Sequence, residues 1–241
     1  MSHPEPLGSF RVFEDYRHSV NSTVVLFTTA LALAADAQTV VEVGCGRGAP
    51  VDPAGRGRRL HDLRGTGRTV IGIDIDPAGA GNPVVDEFRL IDGEHWPLED
   101  ASVDLVYSDW TIEHVQAPDR FVAELSRVLR PGGAFVARSV SRRSLLSLAA
   151  RIVPNRQHAK LLARVQSGRA EQDVFPTVYG MNTVPALAAL LDREFDWSVS
   201  FHPGLEQYAL RWPRLARVVA AVEPHLPRRM QMVLIVNARR R

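Results

Sequence analysis

Along the chain, short runs of β-branched residues alternate with stretches whose apolar residues recur at three- and four-residue steps. Val20, Val24, Phe27, Leu31 and Ala34 follow the second rhythm, which predicts one buried face of a helix over roughly 20–36. The run Thr39-Val-Val-Glu-Val43 then ends in glycines and reads as a buried strand. A second strand, Thr69-Val-Ile-Gly-Ile73, closes on Asp74; a third and shorter one lies near Glu87 to Ile91, and Val103-Asp-Leu-Val-Tyr107 makes a fourth. Phe121, Leu125, Val128 and Leu129 mark the helix that follows. Pro131-Gly-Gly133 is expected to stop it, since proline cannot continue a helix and glycine suits the turn, and a fifth strand is expected from Ala134 to Val140.

Beyond 140 the rhythm changes. Residues 141–180 hold helical pieces, with Leu145, Leu148, Ala149 and Ile152 on one face, and no clear strand. A helix at 183–193 and strands near 197–202 and 231–237 resume the alternation, interrupted by a proline-bounded helical insert at 204–229. Alternation of this kind implies an α/β fold, a doubly wound and mostly parallel sheet with helices on both faces. The chain then divides into an N-terminal helical segment (1–38), a core (39–140), a helical cap insertion (141–182) and a completion of the sheet (183–241). Both insertions are expected to fold over the sheet edge where ligands bind.

Composition narrows the class without naming it. A chain of 241 residues can bury one large α/β core with a modest appendage. The single cysteine, Cys45, rules out an internal disulfide and leaves no zinc framework, which suits a reducing cytoplasm. The opening MSHPEPLGSFRVFEDYRH lacks the apolar core of a secretory signal. Thr23 to Ala35, interrupted by Thr28 and Thr29, falls short of the roughly 20 residues a membrane span needs, so no span is expected. Net charge is only +2, yet residues 1–140 carry 13 basic and 20 acidic side chains and residues 141–241 carry 16 and 7. Such asymmetry points to a polyanion, a membrane surface or an acidic ligand. Arg239-Arg-Arg241 reads as a solvated tail, and with no RNA or DNA module beside it no nucleic-acid partner is expected.

The chemistry concentrates in the core. Glu42-Val-Gly44-Cys45-Gly46-Arg47-Gly48 follows the first strand directly, and its glycines let the backbone turn tightly and approach a ligand. In open α/β sheets such a loop lies beyond the carboxyl ends of the strands, where ligands bind. Its G-x-G-x-G spacing differs from the G-x-G-x-x-G dinucleotide fingerprint. Asp74 ends the second strand, where a carboxylate can accept from both hydroxyls of a ribose; Asp92, after the third, can accept from an adenine amino group. Either aspartate can equally be a turn or capping residue.

The ordered segments VEVGCGRG, GIDIDP, LIDGEHWPLEDASVDLVYSDWTIEHV and ELSRVLRPGG resemble the class I methyltransferases that depend on S-adenosylmethionine (SAM), and most of all their bacterial small-molecule branch. The resemblance covers about residues 39–140 and implies a Rossmann-like sheet of seven strands whose last, here 231–237, is antiparallel. It implies SAM as cofactor, S-adenosylhomocysteine (SAH) as product and a small-molecule acceptor, and is compatible with a homodimer. It sets Glu42, Gly44, Cys45, Gly46 and Gly48 around the methionine part of SAM, Asp74 with Ile75 at the ribose, Asp92 and Gly93 beside the adenine, and Ser108 and Asp109 near the sulfonium. Two departures stand out: the stretch from Gly48 to Asp74 is long and broken by Pro50 and Pro53, and Trp110 replaces a residue that is often small or aliphatic. The segment Glu171 to Thr183 resembles one in a bacterial subset associated with carbohydrate and natural-product pathways.

Methyl transfer from a sulfonium is an in-line displacement that needs alignment more than a strong catalytic group. A hydroxyl acceptor still benefits from a base, and His114, expected at the start of the helix after the fourth strand, is the candidate, with His95 a weaker one. A packing or capping histidine remains the plainer reading of His114. Arg142 and Arg143 follow the fifth strand and suit a phosphate or carboxylate on the substrate, although a solvated positive face accounts for them as well. Trp110, and Tyr179 and Asn182 from the cap, are further substrate candidates. A SAM-binding partner without catalysis and an NAD-dependent Rossmann oxidoreductase stand as alternatives.

Overall fold

The computed structural model describes residues 21–48, 61–93, 95–152, 177–205 and 212–241. Seven strands form one sheet: β1 (Thr39–Val43), β2 (Thr69–Asp74), β3 (Glu87–Leu90), β4 (Val103–Asp109), β5 (Leu129–Val140), β6 (Phe195–His202) and β7 (Val233–Arg240). Their order across the sheet is β3-β2-β1-β4-β5-β7-β6. β7 runs antiparallel to both β5 and β6, and the remaining pairings are parallel. This is the α/β, doubly wound arrangement expected from the strand and helix rhythm, with the seven strands and antiparallel last strand that the resemblance implies.

Two apolar layers flank the sheet because alternate strand residues point to opposite faces. Val41, Val43, Val106 and Phe135 pack on one side with Phe121 and Leu125 of helix α2 (Pro118–Val128) and Leu187 and Leu191 of α4 (Val184–Leu191). Val40, Leu105, Tyr107 and Val136 pack on the other with Val25, Leu26, Phe27 and Ala30 of α1 (Ser22–Leu33). α3 (Leu145–Ile152) follows β5, and α5 (Pro213–Val222) with two short 3-10 turns lies between β6 and β7.

Four expectations need correction. Of the expected face of α1, Phe27 and Ala34 are buried, Val24 and Leu31 are exposed and Val20 lies outside the described residues; Ser22, Val25, Leu26, Thr29 and Ala30 complete the buried face. This helix is apolar nearly all round, so spacing alone leaves its rotation open. Leu145 and Leu148 of α3 are likewise exposed, while Ser144 and Ser147 are buried and hydrogen-bond each other. Pro131-Gly132-Gly133 does not end α2: the helix stops at Val128, the chain is extended from Leu129, and these residues form an irregularity inside β5. There Val103 pairs with Leu129 but Leu105 with Ala134, and Gly132 at φ +79° supplies the left-handed residue a bulge needs. The terminal arginines are no solvated tail. Arg239 and Arg240 are strand residues, and the Arg241 guanidinium donates to Asp192 O, Arg193 O, Phe195 O and the Asp196 carboxylate, clasping β7 to the start of β6.

Most of the cap insertion and the broken stretch around Pro50 and Pro53 lie outside the described residues. No helix among the described residues is long and apolar enough to cross a membrane.

Candidate functional site

β1 and β2 are direct neighbours with Glu42 opposite Gly72 and Val43 opposite Ile73, so the loops leaving them emerge side by side. Gly44 N–H donates to Ile73 O at 2.8 Å and begins the bend. Only glycine serves here: φ is +73°, and a Cβ would lie 2.3 Å from the Thr111 side chain. Gly46 also has positive φ, with open space about its Cα, and its N–H donates to Asp74 Oδ2 at 2.8 Å. Asp74 Oδ1 accepts from Asp76 N–H at 2.9 Å. The carboxylate is thus buried and held by two backbone donors, and its remaining lone pairs can accept from two more. Ile75 beside it is an exposed apolar side chain. Asn82 Nδ2 donates to Cys45 O at 2.9 Å and braces the bend from behind.

Beneath the bend sits an acidic cluster. The Glu42 carboxyl is pushed up to about 8, chiefly by burial, with the Asp109 and Asp74 carboxylates adding to the shift and the polar side chains of Tyr107 and Asn82 offsetting part of it. Its Oε2 is buried without a hydrogen-bond partner among the described residues. Burial also pushes the Cys45 thiol up to about 12. An uncompensated acid of this kind is stabilised by a cation brought beside it. Taken together, the edge offers a carboxylate for a pair of hydroxyls, an apolar neighbour for a flat ring and a buried acid for a positive charge.

Two residues expected near the reacting centre have other partners. Ser108 is fully buried and donates to Val43 O at 3.0 Å, tying β4 to β1. The Asp109 carboxylate accepts two parallel bonds, each 2.7 Å, from Arg138 of β5. Arg138, itself buried, also donates to Ser22 Oγ and Thr23 Oγ1 of α1 and lies 4.8 Å from the centre of the Trp110 ring. Arg138 is the side chain sequence reasoning missed. An arginine in the middle of the apolar run Ala-Phe-Val-Ala-Arg-Ser-Val was the available signal, because a buried guanidinium requires a carboxylate within reach.

His114 stands in the turn between β4 and α2, four residues before the helix and not at its start; it is half-buried, and its N–H donates to Thr111 O at 2.9 Å. Its neighbour Glu113 is buried and accepts from Ser139 Oγ, while Glu113 O accepts from the N–H groups of Val178 and Tyr179. Tyr179, at φ +57°, therefore docks to the β4 turn through its backbone. Asn182 is fully buried and donates to Ser139 Oγ and Val140 O, which makes it a brace between the returning cap and β5 before it can be a substrate contact. Asp92 and Gly93 are exposed just past the carboxyl end of β3. His95 is exposed and points to Glu124 of α2, 3.1 Å away, removing it from the edge. Arg142 and Arg143 are exposed at the end of β5, and Arg143 lines a cavity of about 580 Å³. Among the described residues no cluster of His, Cys, Asp and Glu is suited to hold a metal ion.

The chain matches the family model described as a methyltransferase domain over residues 41–137, the stretch from β1 to β5. It is 38% identical over 108 residues to a probable S-adenosylmethionine-dependent methyltransferase of Mycolicibacterium smegmatis, covering 43% of this chain and 38% of the relative. It is 28% identical over 214 residues to a probable chloroplastic tocopherol O-methyltransferase of Oryza sativa subsp. japonica, covering 83% of this chain and 56% of the relative. These alignments span less than two thirds of either relative's length. In fold it is similar to the geranyl diphosphate C-methyltransferase of Streptomyces coelicolor A3(2), with a TM-score of 0.55, 15% identity and coverage of 91% of this chain and 79% of the other.

Proposed function

We propose that this chain, which belongs to the class I S-adenosylmethionine-dependent methyltransferases, transfers the methyl group of SAM to a small-molecule acceptor. The observation that carries the reading is the bond from Gly46 N–H to Asp74 Oδ2, which joins the glycine bend to the carboxylate across adjacent strands. Asp74 holds the ribose hydroxyls, Ile75 and the loop at Asp92 and Gly93 receive the adenine, and the bend at Gly44–Gly48 takes the methionine arm. Glu42, buried below the bend, accepts the positive charge of that arm.

SAM supplies a methyl group already activated on its sulfonium. The residues of the chain therefore contribute mainly alignment, which is worth on the order of 7–11 kcal/mol when reacting atoms are held in attack geometry. Asp109 acts through Arg138, fixing α1 and Trp110 at the end of β4. His114, in the turn beside Thr111 and the bend, is the base for a hydroxyl acceptor. The acceptor is a metabolite of natural-product or carbohydrate type; the tocopherol and geranyl diphosphate named for relatives support a small molecule over a macromolecule.

Calorimetric titration of the full chain with SAH, SAM and NAD tests the reading. Saturable binding of SAH and SAM is expected; binding of NAD alone would overturn it. Methyl consumption from labelled SAM with a metabolite panel then separates an enzyme from a SAM-binding partner without turnover.

A further inference from the structure

The cavity lined by Arg143 lies away from the glycine bend, at the other end of the same sheet edge. Ser141 and Arg143 enter it from the carboxyl end of β5, Ser200 from β6, Arg228 and Arg229 from the turn that precedes β7, and Asn182 from the N-terminal side of α4. All of these belong to the carboxyl edge, because β7 is antiparallel and begins where β5 and β6 end.

Three arginines thus line one cavity of about 580 Å³, together with apolar side chains such as Val184, Val199 and Phe201. Among the described residues none of the three is ion-paired to a carboxylate; the arginines that are include Arg64, Arg127, Arg130 and Arg138. Like charges gathered around a cavity repel one another, and an anion between them reverses the sign of that interaction. The N-terminus of α4 borders the same space and adds the positive end of a helix dipole. Behind the wall Asn182 is fully buried, donates through Nδ2 to Ser139 Oγ and Val140 O, and leaves Oδ1 without a partner among the described residues. The hydroxyls of Ser141 and Ser200 are engaged with Arg229 O and His202 Nε2, which leaves the arginines as the groups able to meet a ligand.

We propose that this cavity is the anion subsite of the methyl acceptor, binding a phosphate or diphosphate ester through Arg143, Arg228 and Arg229. This rests on the methyltransferase reading, since it makes the cavity part of the acceptor site. Guanidinium groups match phosphate oxygens bidentately, which favours them over lysine for this task. The sheet supplies a length for the ligand. β5 stands two places from β1, and strands are spaced about 4.8 Å apart, so the anion sits about 10 Å or more from the bend. The acceptor is elongated, with its methyl-receiving atom at one end and its charge at the other.

The test titrates inorganic pyrophosphate into full-length protein already saturated with SAH, which keeps the glycine bend occupied. Saturable binding that weakens with added salt is expected, falling about tenfold or more in R143A and in R229A and vanishing in R143A/R228A/R229A, with SAH affinity within twofold of the parent throughout. Absence of saturable pyrophosphate binding to the parent chain, or its persistence in the triple variant, overturns the proposal while leaving SAH binding, and so the methyltransferase reading, intact. Pyrophosphate binding without any SAH binding in the first titration overturns the methyltransferase reading, and with it the cavity's role as an acceptor site.

Discussion

Replacing Asp74 by alanine removes the side chain that ties Gly46 of the bend to the end of the second strand. In the parent chain the carboxylate accepts from Gly46 and Asp76 N–H at 2.8 and 2.9 Å, which leaves lone pairs for the two ribose hydroxyls. A hydrogen bond to a charged group contributes about 1.5–3 kcal/mol, so two hydroxyl contacts set a ceiling of roughly 3–6 kcal/mol. Water entering the space left by the side chain recovers part of this, and about 3–4 kcal/mol remains, or on the order of a hundred- to a thousandfold in Kd for SAH. Calorimetry with SAH reads this loss directly. Thermal unfolding without ligand is the necessary companion, because the alanine variant also strands two backbone N–H groups and a modest drop in Tm is expected. D74N retains the shape but offers an NH2 where one of two donors must be met, so it too should lose at least tenfold. An alanine variant that binds SAH within twofold of the parent, with Tm unchanged, would refute the assigned role of this carboxylate and the pocket built on it.

Four further outcomes follow from the site's geometry. With the Glu42 carboxyl at about 8, a cationic methionine arm should draw a proton off it, so the SAH binding enthalpy near pH 7 should vary with the buffer's ionisation enthalpy, and E42Q should abolish that variation. Because the folded state holds this proton more tightly than the unfolded one, stability should fall as pH rises from about 4.5 to about 8, and denaturant midpoints of E42Q should lack that component. R138A should cost about 3 kcal/mol in denaturant unfolding by leaving the partly buried Asp109 unpaired, whereas R138M/D109N should cost distinctly less; equal losses would contradict the clasp. If His114 is the base, the rate with a hydroxyl acceptor should rise as the imidazole loses its proton, and H114A should be slow with no such rise; a normal pH–rate profile in H114A would remove it.

The elements that carry the cofactor pocket were legible because their signals are local. β-branched runs end on Gly44 and Asp74, and consecutive strands of an alternating chain commonly neighbour each other, as β1 and β2 do. What escaped depends on contacts distant in sequence. Asp109 looks like a ligand residue until Arg138, on the next strand, claims both of its oxygens. Asn182 and Tyr179 look like substrate contacts until the Glu113–Ser139 pair shows what they dock against. The rotation of α1 could not be read because Val24 and Leu31 are as apolar as Val25 and Leu26; its polar Ser22 and Thr23 near Arg138 hold the information, and only with Arg138 in place. The C-terminal arginines were misjudged for the converse reason, since a basic run carries no mark of the backbone carbonyls it will meet.

Cys45 turns the bend into its own reporter. The thiol is buried between Gly44 and Gly46, and at about 12 it is ionised to only about one part in ten thousand at pH 8. Alkylating reagents will therefore modify the folded chain only when this loop opens, and since no other thiol competes, every labelled molecule records such an opening. Labelling rates with and without SAH would then measure, in free energy, how firmly an occupied pocket latches its own entrance.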